Sequence, residues 1–204
     1  MPKGSLFIVS APSGTGKTSL VKGLVDTLKN IKVSVSHTTR EKRPGEINGV
    51  NYHFVTRDEF QNMIEQDDFL EHADVYGFFY GTSKHWVKEQ LADGVDVILE
   101  IESQGAKQAI EQFPKAISIF ILPPSQEALK TRLHNRAQDK PDVIEHRLSE
   151  AKNEVKHCSE YDYIIVNDQF ETALSDIRSV VRADHVKHAR QTVLLKPLID
   201  DLMA

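Results

Sequence analysis

The residues of this 204-residue chain with the strongest chemical signature form one short run near its start, Ala11-Pro12-Ser13-Gly14-Thr15-Gly16-Lys17-Thr18. A glycine-rich loop ahead of a helix binds anions, because its backbone N–H groups and the helix amino end carry partial positive charge. Lys17 would reach the outer phosphates of a nucleotide, and the Thr18 hydroxyl would help to hold Mg²⁺. The run departs from the strict pattern GxxxxGK[ST] in one place, since Ala11 stands where the first glycine belongs.

Two flanking elements must position such a loop. The apolar run Leu6–Ser10 ends at a Pro/Gly-rich turn and predicts a short buried strand. After the loop, apolar residues recur at helical spacing over about 17–29, at Leu20, Val21, Leu24 and Leu28. Strand, loop and helix thus follow in the required order. This order favours nucleotide phosphate binding over an ordinary glycine-rich turn.

Arginines later in the chain could neutralise the charge that spreads over a phosphoryl group during its transfer. Arg132 and Arg136 are four residues apart on a predicted helix at about 126–136, so both guanidinium groups would face one side. Arg147 lies on the next predicted helix, at 142–157. Exposed salt bridges are the alternative role, and the upstream loop favours the functional one.

A second anion-binding group is predicted in a polar, turn-rich stretch after residue 35. Arg40 and Arg43 occur there with Tyr52 and Tyr80, and arginines bind phosphate with two parallel hydrogen bonds. These side chains suit a phosphate bound apart from that of the loop. Without the loop upstream, the same cluster would be interpreted as solvated surface.

One carboxylate is a candidate for the metal site. Glu100 ends the predicted strand 95–101, where its side chain could face the loop and hold a metal-bound water. A strand-end acid in solvent is the alternative. Together with Thr18, Glu100 therefore forms the predicted metal site.

The wider pattern predicts an α/β fold with a mostly parallel, five-stranded sheet covered by helices on both faces. The sheet strands are predicted at 6–10, 32–36, 95–101, 117–122 and 163–166, the last of them buried. A capping box starting at Thr56 predicts a helix to about residue 66, Ser83 starts another, and an amphipathic helix is predicted over about 171–190. Val193, Leu194 and Leu195 are expected to pack back on the core.

Two polar stretches interrupt the alternation of strands and helices and indicate movable insertions beside the site. The predicted core comprises 1–34, 86–123 and 153–204, with insertions at 35–85 and 124–152. A composition that is 40% hydrophobic and 27% charged is typical of a globular protein, and the net charge of −5 argues against broad nucleic-acid binding. The single cysteine, Cys158, cannot form an internal disulfide. With no leader or long apolar run, the prediction is a cytoplasmic protein without membrane association; a homo-oligomer stays open.

Several stretches resemble the guanylate kinase family: APSGTGKTSL, SVSHTTREKRPGEINGVNYHFV, FLEHADVYGFFYGTS, VILEIESQGA, RLHNRA, EHRL and YIIVND. The resemblance covers about residues 4–182, and the second stretch is the most specific. It implies a three-layer P-loop NTPase sandwich with a GMP-binding insertion and a lid. It also implies transfer of the γ-phosphoryl group of ATP to GMP with Mg²⁺, with ATP and GMP as the small-molecule partners.

The resemblance also implies roles for individual residues. The GMP phosphate would be held by Arg40, Arg43, Tyr52 and Tyr80, and guanine would be read by Ser36, Glu71, Thr82 and Glu102. The lid side would supply Arg132, Arg136 and Arg147, and Asn167 would lie beside adenine. An ionised Glu71 suits guanine, because it accepts from N1–H and the N2 amino group but repels the bare N1 of adenine.

The chain departs from the family pattern at three positions. The family usually has Asp where Glu102 stands, a large residue is common at the position of Ser103, and Ala11 is often glycine. These departures bear on the fine guanine contacts rather than on the reaction. Two other interpretations stay open: a non-catalytic, guanylate-kinase-like binding module, and a kinase for another nucleoside monophosphate.

Overall fold

Five parallel strands form the central sheet of the computed structural model, which describes residues 3–75, 77–135 and 141–204. In spatial order they are β2 (Ile31–Val33), β7 (Asp96–Glu100), β1 (Leu6–Ser10), β8 (Ile117–Leu122) and β9 (Tyr163–Val166). β1 is central and buried along its whole length. The predicted parallel α/β sheet is therefore confirmed.

Helices cover both faces of this sheet. The helices of the described residues are α1 (Lys17–Thr27), α2 (Arg57–Glu65), α3 (Lys84–Ala92), α4 (Ser103–Gln112), α5 (Gln126–Asn135), α6 (Pro141–Lys156), α7 (Phe170–His185), α8 (His188–Leu194) and α9 (Lys196–Met203), with a 3₁₀ turn at Cys158–Glu160. Of these, α1, α3, α4 and α7 pack on the sheet. Because side chains alternate along a strand, Phe7 and Val9 pack against α1 and α7. Leu6 and Ile8 pack against α3 and α4 on the other face.

A smaller sheet lies within the first polar stretch. Its strands are β3 (His37–Thr38), β4 (His53–Phe54), β5 (Phe69–Val75) and β6 (Phe78–Ser83), in the order β4-β3-β6-β5. The capping box is confirmed, since the side chain of Thr56 accepts from the N–H of Glu59 and the Glu59 side chain accepts from the N–H of Thr56. Ser83 caps α3 as predicted. This sheet carries several of the predicted site residues.

Four predictions about elements are wrong. The second strand ends at Val33 and not at Ser36, because the chain leaves the sheet after the Ser34 N–H has donated to the Ile98 carbonyl of β7. β9 is an edge strand in which only Ile165 is buried, while Ile164 is 51% exposed. The helix predicted over 171–190 is divided between α7 and α8. Val193, Leu194 and Leu195 are exposed rather than packed on the core.

The sequence patterns do not predict α4, which is hydrogen-bonded to β5 through Gln108 and Gln112. No helix among residues 3–75, 77–135 and 141–204 is long and apolar enough to cross a membrane.

Candidate active site

The glycine-rich loop turns directly from the end of β1 into α1. Gly14 and Gly16 adopt φ values of +88° and +96°, a region that L-residues with side chains rarely enter. Gly16 is also the N-cap of α1, and a Cβ on it would lie 2.7 Å from the Asn167 side-chain nitrogen. The loop therefore needs glycine at position 16 both for backbone conformation and for space.

Arg132 and Asn167 both donate hydrogen bonds to the Thr15 carbonyl in the middle of the glycine-rich loop. The side-chain nitrogen of Asn167 donates to the Thr15 carbonyl at 2.7 Å. Arg132 donates to the same carbonyl at 3.3 Å and to the Asn167 carbonyl at 2.9 Å. A guanidinium has five N–H donors, so these two bonds leave it the capacity to bind an anion as well.

Lys17 and Thr18 begin α1 and lie beside the end of β7. The Lys17 ammonium donates to the Ile101 carbonyl at 3.3 Å, and burial lowers its pKa, against the attraction of Glu100 and other carboxylates. The Thr18 hydroxyl donates to the Glu100 carboxylate at 2.9 Å. The structure thus brings the predicted metal-site pair together, because parallel pairing places β7 next to β1.

Three of the four predicted phosphate-binding side chains cluster in the small sheet. The Arg40 guanidinium lies over the Tyr52 ring at 5.4 Å, and the rings of Tyr52 and Tyr80 are 5.8 Å apart. Arg40 also forms a two-point ion pair with Glu46, at 2.7 and 3.0 Å, which raises the pKa of Arg40. Arg43 is exposed, and its backbone N–H donates to Glu46 at 2.7 Å. The ion pair with Glu46 thus orients the Arg40 guanidinium.

Glu71 is the buried carboxylate of the site. It lies on β5 with 4% exposure and accepts a 2.5 Å hydrogen bond from the Thr82 hydroxyl on β6. Burial raises the pKa of Glu71 to about 7, although the Thr82 hydrogen bond and the charge of Lys17 act in the opposite direction. The influence of Lys17 on this pKa places the two groups in one electrostatic environment.

A cavity of about 260 Å³ separates the loop from the small sheet and α6. Carboxylates dominate its lining, which includes Ala11, Ser13, Asp74, Glu102, His146, Glu150 and Glu154. Glu102 is the N-cap residue of α4, and burial together with Glu154 and Glu150 raises its pKa, while Lys17 lowers it. The cleft therefore has Ala11 and Ser13 of the loop on one side and several carboxylates on its other walls.

The remaining predicted residues lie around this cleft. Ser36 is half-buried just before β3, and its carbonyl accepts from the backbone N–H of His53. Arg147 is half-buried on α6. Pro12 is buried in the loop, where its carbonyl accepts from the Thr15 N–H. Arg136 lies outside the described residues.

Sequence reasoning missed three residues that the geometry brings into the site: Glu46, Gly105 and Glu154. A Cβ on Gly105 of α4 would lie 2.4 Å from the Glu71 carboxylate, so this helix position must lack a side chain. Glu46 could have been suspected from its place three residues after Arg43 in a turn. Gly105 and Glu154 act through contacts between distant parts of the chain, which spacing does not reveal.

The class of protein is defined by a glycine-rich loop that joins the central strand of a parallel sheet to a helix. Lys17 and Thr18, which follow the loop, lie beside a carboxylate on the neighbouring strand. The chain is a nucleotide-binding protein of the P-loop NTPase type. The chain belongs to the guanylate kinase family, since the family model described as Guanylate kinase matches residues 3–184.

Individual proteins agree with this assignment along the whole chain. A guanylate kinase of Vibrio parahaemolyticus is 53% identical over 206 residues, covering 100% of both chains. One of Saccharophagus degradans is 55% identical over 203 residues, covering 100% of this chain and 99% of the other. The crystal structure of guanylate kinase from Anaplasma phagocytophilum superposes with a TM-score of 0.77 at 36% identity, over 96% of this chain and 95% of that one.

Proposed function

We propose that this cleft catalyses the guanylate kinase reaction, the direct transfer of the γ-phosphoryl group of ATP to GMP to give ADP and GDP. The observation that carries the residue assignment is the buried Glu71–Thr82 pair within electrostatic range of Lys17. It joins a group able to read guanine to a loop able to bind phosphates. ATP and GMP are the substrates.

Glu71 is assigned to guanine. Its carboxylate can accept from both N1–H and the N2 amino group, whereas adenine presents a lone pair at N1. Such matching of buried polar groups discriminates between ligands by a factor of about 10⁴ or more. We assign a donor to O6 to Ser36, support for Glu71 to Thr82, and a second contact with the amino group to Glu102.

The GMP phosphate is assigned to Arg40, Arg43, Tyr52 and Tyr80. Arg40 is already oriented by its ion pair with Glu46 and by stacking on Tyr52. A guanidinium held along one edge can offer its other N–H groups to phosphate oxygens. The exposed Arg43 would complete the site when GMP binds.

The ATP phosphates are assigned to the loop, Lys17 and Arg132, with Arg136 and Arg147 approaching from the lid and Asn167 on the adenine side. The attacking GMP phosphate oxygen is anionic near neutral pH, so transfer needs alignment and charge neutralisation rather than a strong base. We assign 35–85 as the GMP-binding insertion and 124–152 as the lid. Their closure would exclude water and suppress ATP hydrolysis.

The donor set also fits Mg²⁺, which prefers oxygen ligands. Thr18 and Glu100 offer a hydroxyl and a carboxylate that are already 2.9 Å apart. We assign Thr18 as a ligand and Glu100 as the acceptor for a metal-bound water. Bound Mg²⁺ would neutralise charge on the phosphates of ATP. We place the enzyme in the cytoplasm, where its one cysteine, Cys158, stays reduced.

The test is a coupled ADP-release assay with Mg-ATP and, separately, GMP, dGMP, AMP, UMP and CMP. Turnover with GMP far above that with AMP is expected. Glu71→Gln should raise the KM for GMP and leave the KM for ATP nearly unchanged. ATP binding without turnover of any acceptor would instead identify a binding module, and preference for AMP or UMP would contradict the assignment of Glu71.

A further inference from the structure

Helix α4 is held at its amino end by a side chain from α6. The Glu154 carboxylate accepts from the Ser103 hydroxyl at 2.7 Å and from the Ser103 backbone N–H at 3.3 Å. A carboxylate at this position satisfies a backbone donor that has no partner within the helix, and it interacts favourably with the helix dipole. The N-cap residue Glu102 makes no such bond with its own side chain. The cap of α4 is therefore supplied from elsewhere in the chain.

The body of α4 is fastened to the strand that carries Glu71. The Gln108 amide donates to the His72 carbonyl at 2.8 Å and accepts from the His72 N–H at 3.1 Å. The Gln112 amide donates to the Leu70 carbonyl at 2.8 Å. β5 is an edge strand of the small sheet, so these glutamines take the place of a missing neighbouring strand. Glu71 lies between the two anchored residues.

Helix α6 is in turn connected to the ATP side of the cleft. Leu129 and Leu133 of α5 form a buried cluster with Ala151 of α6. Arg132 on α5 is the residue that binds the Thr15 and Asn167 carbonyls at the loop. Because α5 and α6 pack together, we expect a shift of α5 towards bound phosphates to move α6, and with it the Glu154 carboxylate at the end of α4.

We propose that α4 transmits the position of the lid helices to the guanine pocket, with Glu154 and Gln108 as positioning residues. The proposal rests on the assignment of Glu71 to guanine in the proposed function. ATP binding sets α5 and α6, Glu154 sets the amino end of α4, and Gln108 sets the segment of β5 around Glu71. The two substrate sites then influence each other's affinity, and by linkage the influence is equal in both directions.

The chain offers matched variants for this proposal. Glu154→Ala removes both hydrogen bonds between α6 and α4, whereas Ser103→Ala removes the shorter, hydroxyl bond and keeps the backbone bond. Glu154→Gln keeps an amide oxygen that can accept both bonds from Ser103. Gln108→Ala removes the link to β5, while Lys107→Ala changes an exposed neighbour on the same helix.

The experiment is calorimetric titration of GMP into the full chain, with and without a saturating non-hydrolysable ATP analogue and Mg²⁺. The ratio of the two Kd values measures the coupling. The wild type and Lys107→Ala should share a ratio well above one, and Glu154→Gln should keep most of it. Glu154→Ala and Ser103→Ala should both lower the ratio towards one, and Glu154→Ala, which removes both bonds, should lower it more. Gln108→Ala should also lower the ratio towards one, and it should weaken GMP binding about 3- to 10-fold without the analogue, as expected for the loss of two hydrogen bonds.

The outcomes separate this inference from the proposed function. A wild-type ratio of one, or an unchanged ratio in both Ser103→Ala and Glu154→Ala, would overturn the role of α4. Turnover of GMP by the wild type would in either case support the proposed reaction. Because Ser103→Ala removes a single oxygen atom, its ratio remains informative even if Glu154→Ala does not fold.

Discussion

Replacing Glu71 with glutamine should change the pH dependence of stability, mainly because this carboxyl is buried in the folded protein. The pKa of this carboxyl rises from 4.5 to about 7 on folding, chiefly through burial. The native state therefore binds a proton that the unfolded state releases between these pH values. The stabilisation that belongs to the protonated group is complete below pH 4.5 and is lost as the pH rises through 7.

The size of the effect follows from the same pKa values. At 1.36 kcal/mol per pKa unit, the change from 4.5 to about 7 corresponds to about 3 kcal/mol in the free energy of unfolding. Glu71→Gln keeps the shape of the side chain and an acceptor for Thr82, but it does not titrate. The stability of the variant relative to wild type should therefore increase by about 3 kcal/mol between pH 4.5 and pH 8.

Urea unfolding at half-unit intervals from pH 4.5 to pH 8 measures this difference directly. Other titrating groups are common to both proteins and cancel in the comparison. Glu111→Gln, on the exposed side of α4, is the matched control for the loss of one carboxylate. A difference between Glu71→Gln and wild type that stays constant across this range would refute the reasoning, because Glu71 would then titrate alike in both states.

Three further substitutions test the geometry of the site. Gly105→Ala would place a methyl group 2.4 Å from the Glu71 carboxylate, so it should raise the KM for GMP at least several-fold. This is expected even though alanine normally stabilises a helix by about 1 kcal/mol relative to glycine. An unchanged KM would argue against the contact. Gly16→Ala combines a φ of +96° with a 2.7 Å approach to Asn167, and chemical unfolding should show a loss of more than about 1 kcal/mol. Lys17→Ala should lower kcat at least 100-fold with an unfolding midpoint close to wild type, and unchanged turnover would remove this lysine from the mechanism.

Local signals in the sequence were enough to locate much of the core. β1 and β8 are largely apolar runs that end shortly before Pro12 and Pro123, and their bounds match the predictions. β9 has a similar composition but lies at the edge of the sheet, and composition does not report strand order. The chain at Ser34–Ser36 alternates like a strand, yet it turns away to begin the small sheet.

In the site, too, features formed by consecutive residues could be predicted from the sequence, and contacts between distant parts of the chain could not. The loop residues are consecutive, so their pattern predicts a phosphate site directly. The contact between Thr18 and Glu100 depends on β1 pairing with β7, which follows from the parallel sheet only once strand order is known. The support of Glu71 by Gly105 and Gln108 depends on how α4 packs on β5. The roles assigned to individual residues stay predictions until they are tested.

The central position of β1 has a consequence for synthesis on the ribosome. β1 leaves the exit tunnel first, yet both of its partners, β7 and β8, are translated much later. The hydrogen bond from the Asn167 side chain to the Thr15 carbonyl joins residues that are 152 positions apart, so it cannot form until Asn167 has been made. The support that Asn167 gives to the loop therefore forms only after most of the chain has been made. Until β7 and β8 have been made, β1 is an apolar strand without its neighbours, and such strands are prone to aggregation.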